Sequence, residues 1–190
     1  MKKIPINKPF FDNMEIREVK KVLEEGNLTN ATFEGGRRVR EVESLLCKFV
    51  GTRYAAALNS GTAALQAALL ALGIGKGDEV ILPSFTFLAT ANAVVVTGAT
   101  PVFVDIKKDD YTIDPDDLEE KITDNSKAVI PVHLYGHVAD MKRILDIARK
   151  NSLHVIEDAC QSLGSTINGK QTGSFGDIGC FSFYASKVVT

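Results

Sequence analysis

Apolar residues recur along this chain with two different periods. Over residues 12–25, Met14, Val19, Val22 and Leu23 stand among charged residues at helical spacing, and Gly26 follows as a stop. From Arg38 to Val50 a second amphipathic pattern runs through Val39, Val42, Leu45, Leu46, Phe49 and Val50, ended by Gly51. The polar, glycine-bearing stretch 27–37 between them reads as a loop. From Tyr54 onward the pattern changes to short apolar runs alternating with helical segments. The runs Tyr54–Leu58, Glu79–Leu82, Pro101–Asp105, Ala128–His133, Leu153–Glu157 and Asp177–Phe183 predict strands. Ala63–Leu72, Phe87–Thr97, Asp114–Ile122 and Asp140–Lys150 predict helices, the third opening on Asp114-Pro115 with proline at its first position. Several of the strands are apolar throughout, as strands covered on both faces are. Their alternation with helices predicts an α/β fold, a three-layer α/β/α arrangement around a mainly parallel sheet. Residues 1–37 read as an arm and 38–190 as one domain.

Composition narrows the class. The 190 residues are 45% hydrophobic and 24% charged, enough to build a core and too apolar for a disordered chain. A net charge of −2 without a basic block gives no electrostatic footing for nucleic acid. The longest apolar stretch, Phe87 to Val104, is interrupted by Asn92, Thr97, Gly98 and Pro101, so no membrane span is expected. Met1-Lys2-Lys3-Ile4-Pro5 lacks the apolar segment of a secretory signal, which makes the sequons at Asn27 and Asn30 uninformative and points to the cytoplasm. Cys47, Cys160 and Cys180 have no metal-ligand spacing, and the last two sit in apolar segments as buried thiols.

Each candidate for chemistry has a plain reading beside a functional one. Ser60-Gly61-Thr62, between a predicted strand and an alanine-rich helix, suits an anion held on free helix amides, and equally a serine N-cap with a tight turn. Glu157-Asp158-Ala159-Cys160-Gln161 puts acids at the carboxyl end of an apolar strand, where open α/β sheets bind ligands; Asp158 could pair with a protonated ring nitrogen or cap a helix. Phe85 and Phe87 suit a flat ligand ring, although a core position is the commoner fate of a phenylalanine. His133 is read as a satisfied structural histidine rather than an acid or base, and His137 and His154 as structural too. Gly164 to Lys170 nearly matches a phosphate-binding loop but has Gln171 where a hydroxyl is required and no apolar helix after it; it reads as a turn between short strands. Lys187 follows the apolar run Ile178-Gly179-Cys180-Phe181-Ser182-Phe183. At the mouth of a buried strand a lysine is partly desolvated, which favours the neutral amine that forms Schiff bases. A phosphate cradle, a flat aromatic, a carboxylate and a lysine, all at strand ends, are the set that pyridoxal 5'-phosphate requires.

Six stretches in one order carry a resemblance: Asn59 to Leu65, Gly77 to Phe87, Pro101 to Asp105, Pro131 to Gly136, Glu157 to Gln161 and Phe181 to Lys187. The chain resembles the DegT/DnrJ/EryC1/StrS family of sugar aminotransferases, pyridoxal-phosphate enzymes of fold type I. The resemblance implies that Lys187 is the Schiff-base lysine and the acid/base, and that Asp158 pairs with the pyridinium nitrogen. It implies that Gln161 bonds the ring hydroxyl and Phe87 stacks on the ring, with Ser60, Gly61, Thr62 and Ser182 around the phosphate. It implies amino transfer, typically from glutamate, to a keto group of a nucleotide-linked sugar, in a homodimer. Related sugar 3-dehydratases carry histidine in place of this lysine, so Lys187 favours transamination; a few relatives make aromatic amine precursors. It also implies a small C-terminal domain beyond residue 190, absent here. The chain would then be a fragment or a truncated product, and a non-catalytic remnant that binds only cofactor or a partner subunit is the alternative.

Overall fold

The computed structural model describes residues 9–28 and 35–189; the start of the chain and Thr29, Asn30 and Thr32 of the two sequons lie outside them. The chain forms two compact units, one reaching to Ala57 and the other Leu58–Val189. This division falls after Ala57, where the hydropathy pattern suggests a boundary at residue 37.

The first unit holds α1 (Asn13–Glu25) and α2 (Arg37–Val50). Asp12 caps α1 by accepting from the Met14 amide at 2.6 Å, and Glu15 returns a bond to the Asp12 amide at 2.7 Å, a reciprocal capping box. Gly26 and Gly51 end the two helices in the left-handed conformation that glycine adopts without penalty. Arg37 bonds Glu25 at 2.7 Å and Arg38 bonds Glu18 at 3.1 Å. The predicted strand Tyr54–Leu58 does not form. Tyr54 and Leu58 are exposed, and the Ala57 amide is taken by the Glu43 carboxylate at 2.8 Å. An apolar run becomes a strand only beside another strand, and the first unit contains two helices and no strand among its described residues.

The second unit contains α3 (Gly61–Ala71), β1 (Glu79–Pro83), α4 (Leu88–Val95), β2 (Thr100–Val104), α5 (Pro115–Glu120), β3 (Ser126–Val129), α6 (Met141–Lys150), β4 (His154–Asp158), a hairpin of β5 (Thr166–Ile167) and β6 (Lys170–Gln171), and β7 (Ile178–Cys180). The main sheet is wholly parallel in the order β2-β1-β3-β4-β7. The chain steps from β1 out to β2, then back across β1 to β3 and on to β4. Parallel crossovers are right-handed, so this reversal of direction sends α4 to one face and α5 and α6 to the other. The two cores follow that rule. Leu65, Leu69, Ala93 and Val94 of α3 and α4 meet Val80, Leu82, Ala128 and Ile156 on one face, while Leu118, Ile144 and Ile147 of α5 and α6 meet Ile81, Val129 and Val155 on the other. Consecutive strand residues thus feed opposite cores, the period-two alternation of a strand buried on both sides. The three-layer parallel architecture is the one expected.

Two strand ends differ from the pattern. β3 stops at Val129 because Pro131 has no amide to donate, although Ile130 still donates to Ile81 O at 2.8 Å. β7 is three residues long, shorter than the apolar run Asp177–Phe183. At the outer side of β2, Pro101 lacks an amide, Lys121 Nζ bonds the Phe103 carbonyl at 2.9 Å, and the Asp105 amide donates to Asp117 at 2.6 Å. Residues 164–170 form a β-hairpin turn: Asn168 and Gly169 have φ of 52° and 77°, the pair of left-handed residues a type I′ turn needs. No helix follows among the described residues, so the near match to a phosphate loop has no helix amides to draw on there. No helix among the described residues is long and apolar enough to cross a membrane.

Candidate active site

The carboxyl ends of β1, β3, β4 and β7 lie side by side. On β4 the alternation that sends Val155 and Glu157 toward α6 sends Ile156 and Asp158 toward α3 and α4. Asp158 is 6% exposed, and both its oxygens are engaged: Thr90 Oγ1 on α4 donates to Oδ2 at 2.8 Å, and the Cys160 amide donates to Oδ1 at 3.2 Å. No helix begins at Asp158, which removes the N-cap reading. Thr86, in the turn from β1 to α4, lies 3.0 Å from Thr90, hydroxyl to hydroxyl.

Phe87 immediately precedes α4 and is 68% exposed, and Phe85 is 48% exposed, so the core position anticipated for phenylalanine is filled by neither. Phe85 instead meets Tyr111 at 6.1 Å between ring centroids. Ser60 caps α3, accepting from the Ala63 amide at 3.1 Å. The amides of Gly61 and Thr62, first in that helix, meet no acceptor among the described residues, so the capping and anion-binding readings are compatible. A Cβ on Gly61 would come within 2.8 Å of Cys160 Sγ and 3.0 Å of Ser182 Cβ. The bare glycine therefore lets the start of α3 lie directly against the segment after β4 and the segment after β7. Gly61→Ala is expected to force these apart, costing about 1–3 kcal/mol by overpacking, read as a lowered urea midpoint.

Ser182 Oγ accepts from the Tyr184 amide at 3.3 Å. Lys187 is half-buried; its amide donates to Tyr184 O at 2.7 Å, and its charge reaches the Cys160 thiol. Gln161 accepts from the Tyr135 amide at 2.9 Å. Ser60, Gly61 and Thr62 at the start of α3, Asp158, Ser182 and Lys187 thus gather near Cys160, while Phe87 sits one residue from the Thr86–Thr90 contact. Burial raises the Cys160 thiol far above its ordinary range and Cys180 to about 12, with the neighbouring Asp158 charge adding to each. Neither is a thiolate near neutral pH, and both act as packing groups.

Sequence reasoning overlooked Thr90 and the role of Glu157. Thr86 and Thr90 stand four apart across the turn that opens α4, a mostly apolar helix, and that was the available signal. Glu157 is fully buried on the opposite face from Asp158. Its Oε2 takes His133 Nε2 at 2.9 Å and the Gly173 amide at 2.8 Å, and its Oε1 takes the amides of Phe175 at 2.6 Å and Gly176 at 2.7 Å. The Ala139 amide donates to His133 Nδ1 at 3.2 Å, so Nε2 carries the proton that Glu157 receives. His133 is the satisfied structural histidine anticipated, and Glu157 pins the loop that leads into β7. His137 and His154 are exposed, each beside an aspartate, at 3.6 Å from Asp110 and 3.4 Å from Asp177.

The chain is 48% identical over 155 residues to GDP-perosamine synthase of Caulobacter vibrioides, covering 82% of this chain and 42% of that one. It is 51% identical over 160 residues to a UDP-N-acetyl-3-dehydro-alpha-D-glucosamine 3-aminotransferase of Acidithiobacillus ferrooxidans, covering 84% and 43%. The PLP form of Spr1654 from Streptococcus pneumoniae, described as a sugar aminotransferase, superposes with a TM-score of 0.93 at 36% identity over 98% of this chain and 50% of that one. The chain spans about half the length of these relatives, or less. The sequence profile of the DegT/DnrJ/EryC1/StrS aminotransferase family matches residues 10–190, and the chain belongs to that family, whose aminotransferases use pyridoxal phosphate.

Proposed function

We propose that this chain is the cofactor-binding portion of a cytoplasmic, homodimeric aminotransferase that moves an amino group from glutamate to the keto group of a nucleotide-linked sugar. One observation carries the reading: a nearly buried carboxylate, two unengaged helix amides and a half-buried lysine converge at the carboxyl edge of one parallel sheet. The names of the relatives, which specify GDP- and UDP-linked sugars, support the substrate class.

The residues fit pyridoxal phosphate. Gly61 lets the start of α3 lie directly against Ser182 and Cys160, and the amides of Gly61 and Thr62 sit at a helix start, where an anion is favoured. Ser60, Gly61, Thr62 and Ser182 would hold the phosphate. Asp158, with one donor on each oxygen, retains acceptor capacity for a ring N–H. Phe87 would cover a ring face and Gln161 would meet the ring hydroxyl. When bound, the cofactor supplies an electron sink for the carbon that changes its proton. Lys187 would attach it covalently and, once released by the incoming amine, move that proton through Nζ. Asp158 would keep the proton on the ring nitrogen, and its low exposure would strengthen that pairing by excluding water.

The test is to incubate the chain with pyridoxal phosphate, reduce with borohydride and map the peptides. One pyridoxyl group on Lys187 is expected. A label spread over surface lysines such as Lys142 and Lys150, with Lys187 unmodified, overturns the assignment.

A further inference from the structure

The contact between Thr86 and Thr90 acquires a direction from its surroundings. Thr90 has a single hydroxyl proton, and it lies on Asp158 Oδ2 at 2.8 Å. Thr90 Oγ1 can therefore only accept in its 3.0 Å contact with Thr86, and the Thr86 hydroxyl must donate. The result is a one-way chain, Thr86 to Thr90 to Asp158, in which each bond polarises the next toward the carboxylate. Thr90 is fully buried and Asp158 nearly so, so water is poorly placed to substitute for either hydroxyl. The chain also spans two elements. Thr86 belongs to the turn that ends in Phe87, whereas Asp158 ends β4, two strands away in the sheet.

We propose that Thr90, with Thr86 behind it, is a positioning residue: it fixes the rotamer of Asp158 toward the ring nitrogen of the cofactor and ties the turn bearing Phe87 to that carboxylate, so that the groups meeting the edge and the face of the ring are set together. The role rests on the cofactor reading above. A helix that buries threonine amid alanine and valine leaves a polar group without a reason unless the hydroxyl has a task, and here its one proton is committed to the site's one buried acid on that face. Oδ1, held by the Cys160 amide, fixes the other half of the carboxylate, so Thr90 decides its rotation.

Two measurements on the whole chain separate this role from a structural one. The first is the urea midpoint of the cofactor-free protein in a double-mutant cycle of Thr90→Val and Asp158→Ala. The second is the dissociation constant for pyridoxal phosphate itself. Thr90→Val is expected to weaken cofactor binding about 10-fold or more, the worth of a hydrogen bond to a charged group. Thr90→Ser, which restores the hydroxyl, should stay within about threefold of the parent, and Thr86→Val, which leaves the Thr90–Asp158 bond in place, should lose about threefold. In the Asp158→Ala background the effect of Thr90→Val on binding should shrink below about twofold, and the two midpoint shifts should be non-additive. Additive midpoints, an equal loss of binding in both backgrounds, or failure of Thr90→Ser to restore it would overturn the proposal. A chain that shows the midpoint coupling yet takes up no pyridoxal phosphate overturns the cofactor reading, and the positioning role with it. Should Thr90→Val not fold, Thr90→Ala replaces it in the same cycle with the same expected pattern.

Discussion

Lys187→Ala is expected to leave the fold intact while removing all borohydride-fixed pyridoxyl label from the site peptide. The lysine amide bonds Tyr184 O, and any residue but proline supplies that donor. The ammonium group makes no hydrogen bond or ion pair among the described residues, so its deletion leaves no buried partner unsatisfied. Stability should change by no more than about 0.5 kcal/mol, as for substitutions that break no network. The chemistry depends on it far more steeply: without a primary amine at this position no covalent attachment is available, and an uncharged methyl cannot carry a proton to or from carbon. Residual non-covalent binding through the amides of α3, Phe87 and Asp158 should survive, visible as cofactor that dialyses away. A label that persists on the mutant at the parent's level would show that a different lysine is the anchor.

Glu157→Gln should cause the largest loss of stability of any single isosteric change in the sheet. Four donors converge on this carboxylate: the amides of Gly173, Phe175 and Gly176, and His133 Nε2. A glutamine has one acceptor oxygen. If that oxygen serves Phe175 and Gly176, the NH₂ group faces two further donors. His133 cannot relieve the conflict by changing tautomer, because its Nδ1 already accepts from the Ala139 amide. The site is fully buried, so water cannot intervene. Leaving a buried hydrogen-bonded charge network unpaired costs about 3–5 kcal/mol, a large fraction of a domain's stability, and would lower the melting temperature by roughly 10 °C or more. Calorimetry on the parent and mutant checks this; a shift of about 2 °C or less would show that the loop is held by other contacts.

The helix start at Asp114 and the parallel sheet were legible because they rest on local signals. Asp114 with Pro115 and the glycines at 26 and 51 mark ends that need no tertiary information. The apolar strands could only be buried on both faces. The candidate residues were legible as types at strand ends, and the fold brings Gly61, Asp158, Ser182 and Lys187 together there. What was not legible depends on partners distant in sequence. Tyr54–Leu58 has strand composition but no strand beside it. Asp158 and Glu157 are adjacent acids, and only the pleat, together with what packs on each face, separates a residue at the site from one that pins a loop. Thr90 looks like a weak helix former until the carboxylate 68 positions away supplies its partner. Phe85 and Phe87 are apolar by type, yet their place at the open edge of the sheet leaves them exposed.

The outer side of β2 bears on assembly. A strand that terminates a sheet ordinarily offers a row of free donors and acceptors on which a second chain can add. On β2 that row is largely spent: Pro101 has no donor, the Phe103 carbonyl is occupied by Lys121, and the Asp105 amide by Asp117. The sheet is therefore closed to extension at this end. Two copies of this chain would not associate by continuing one sheet across a dimer axis at β2.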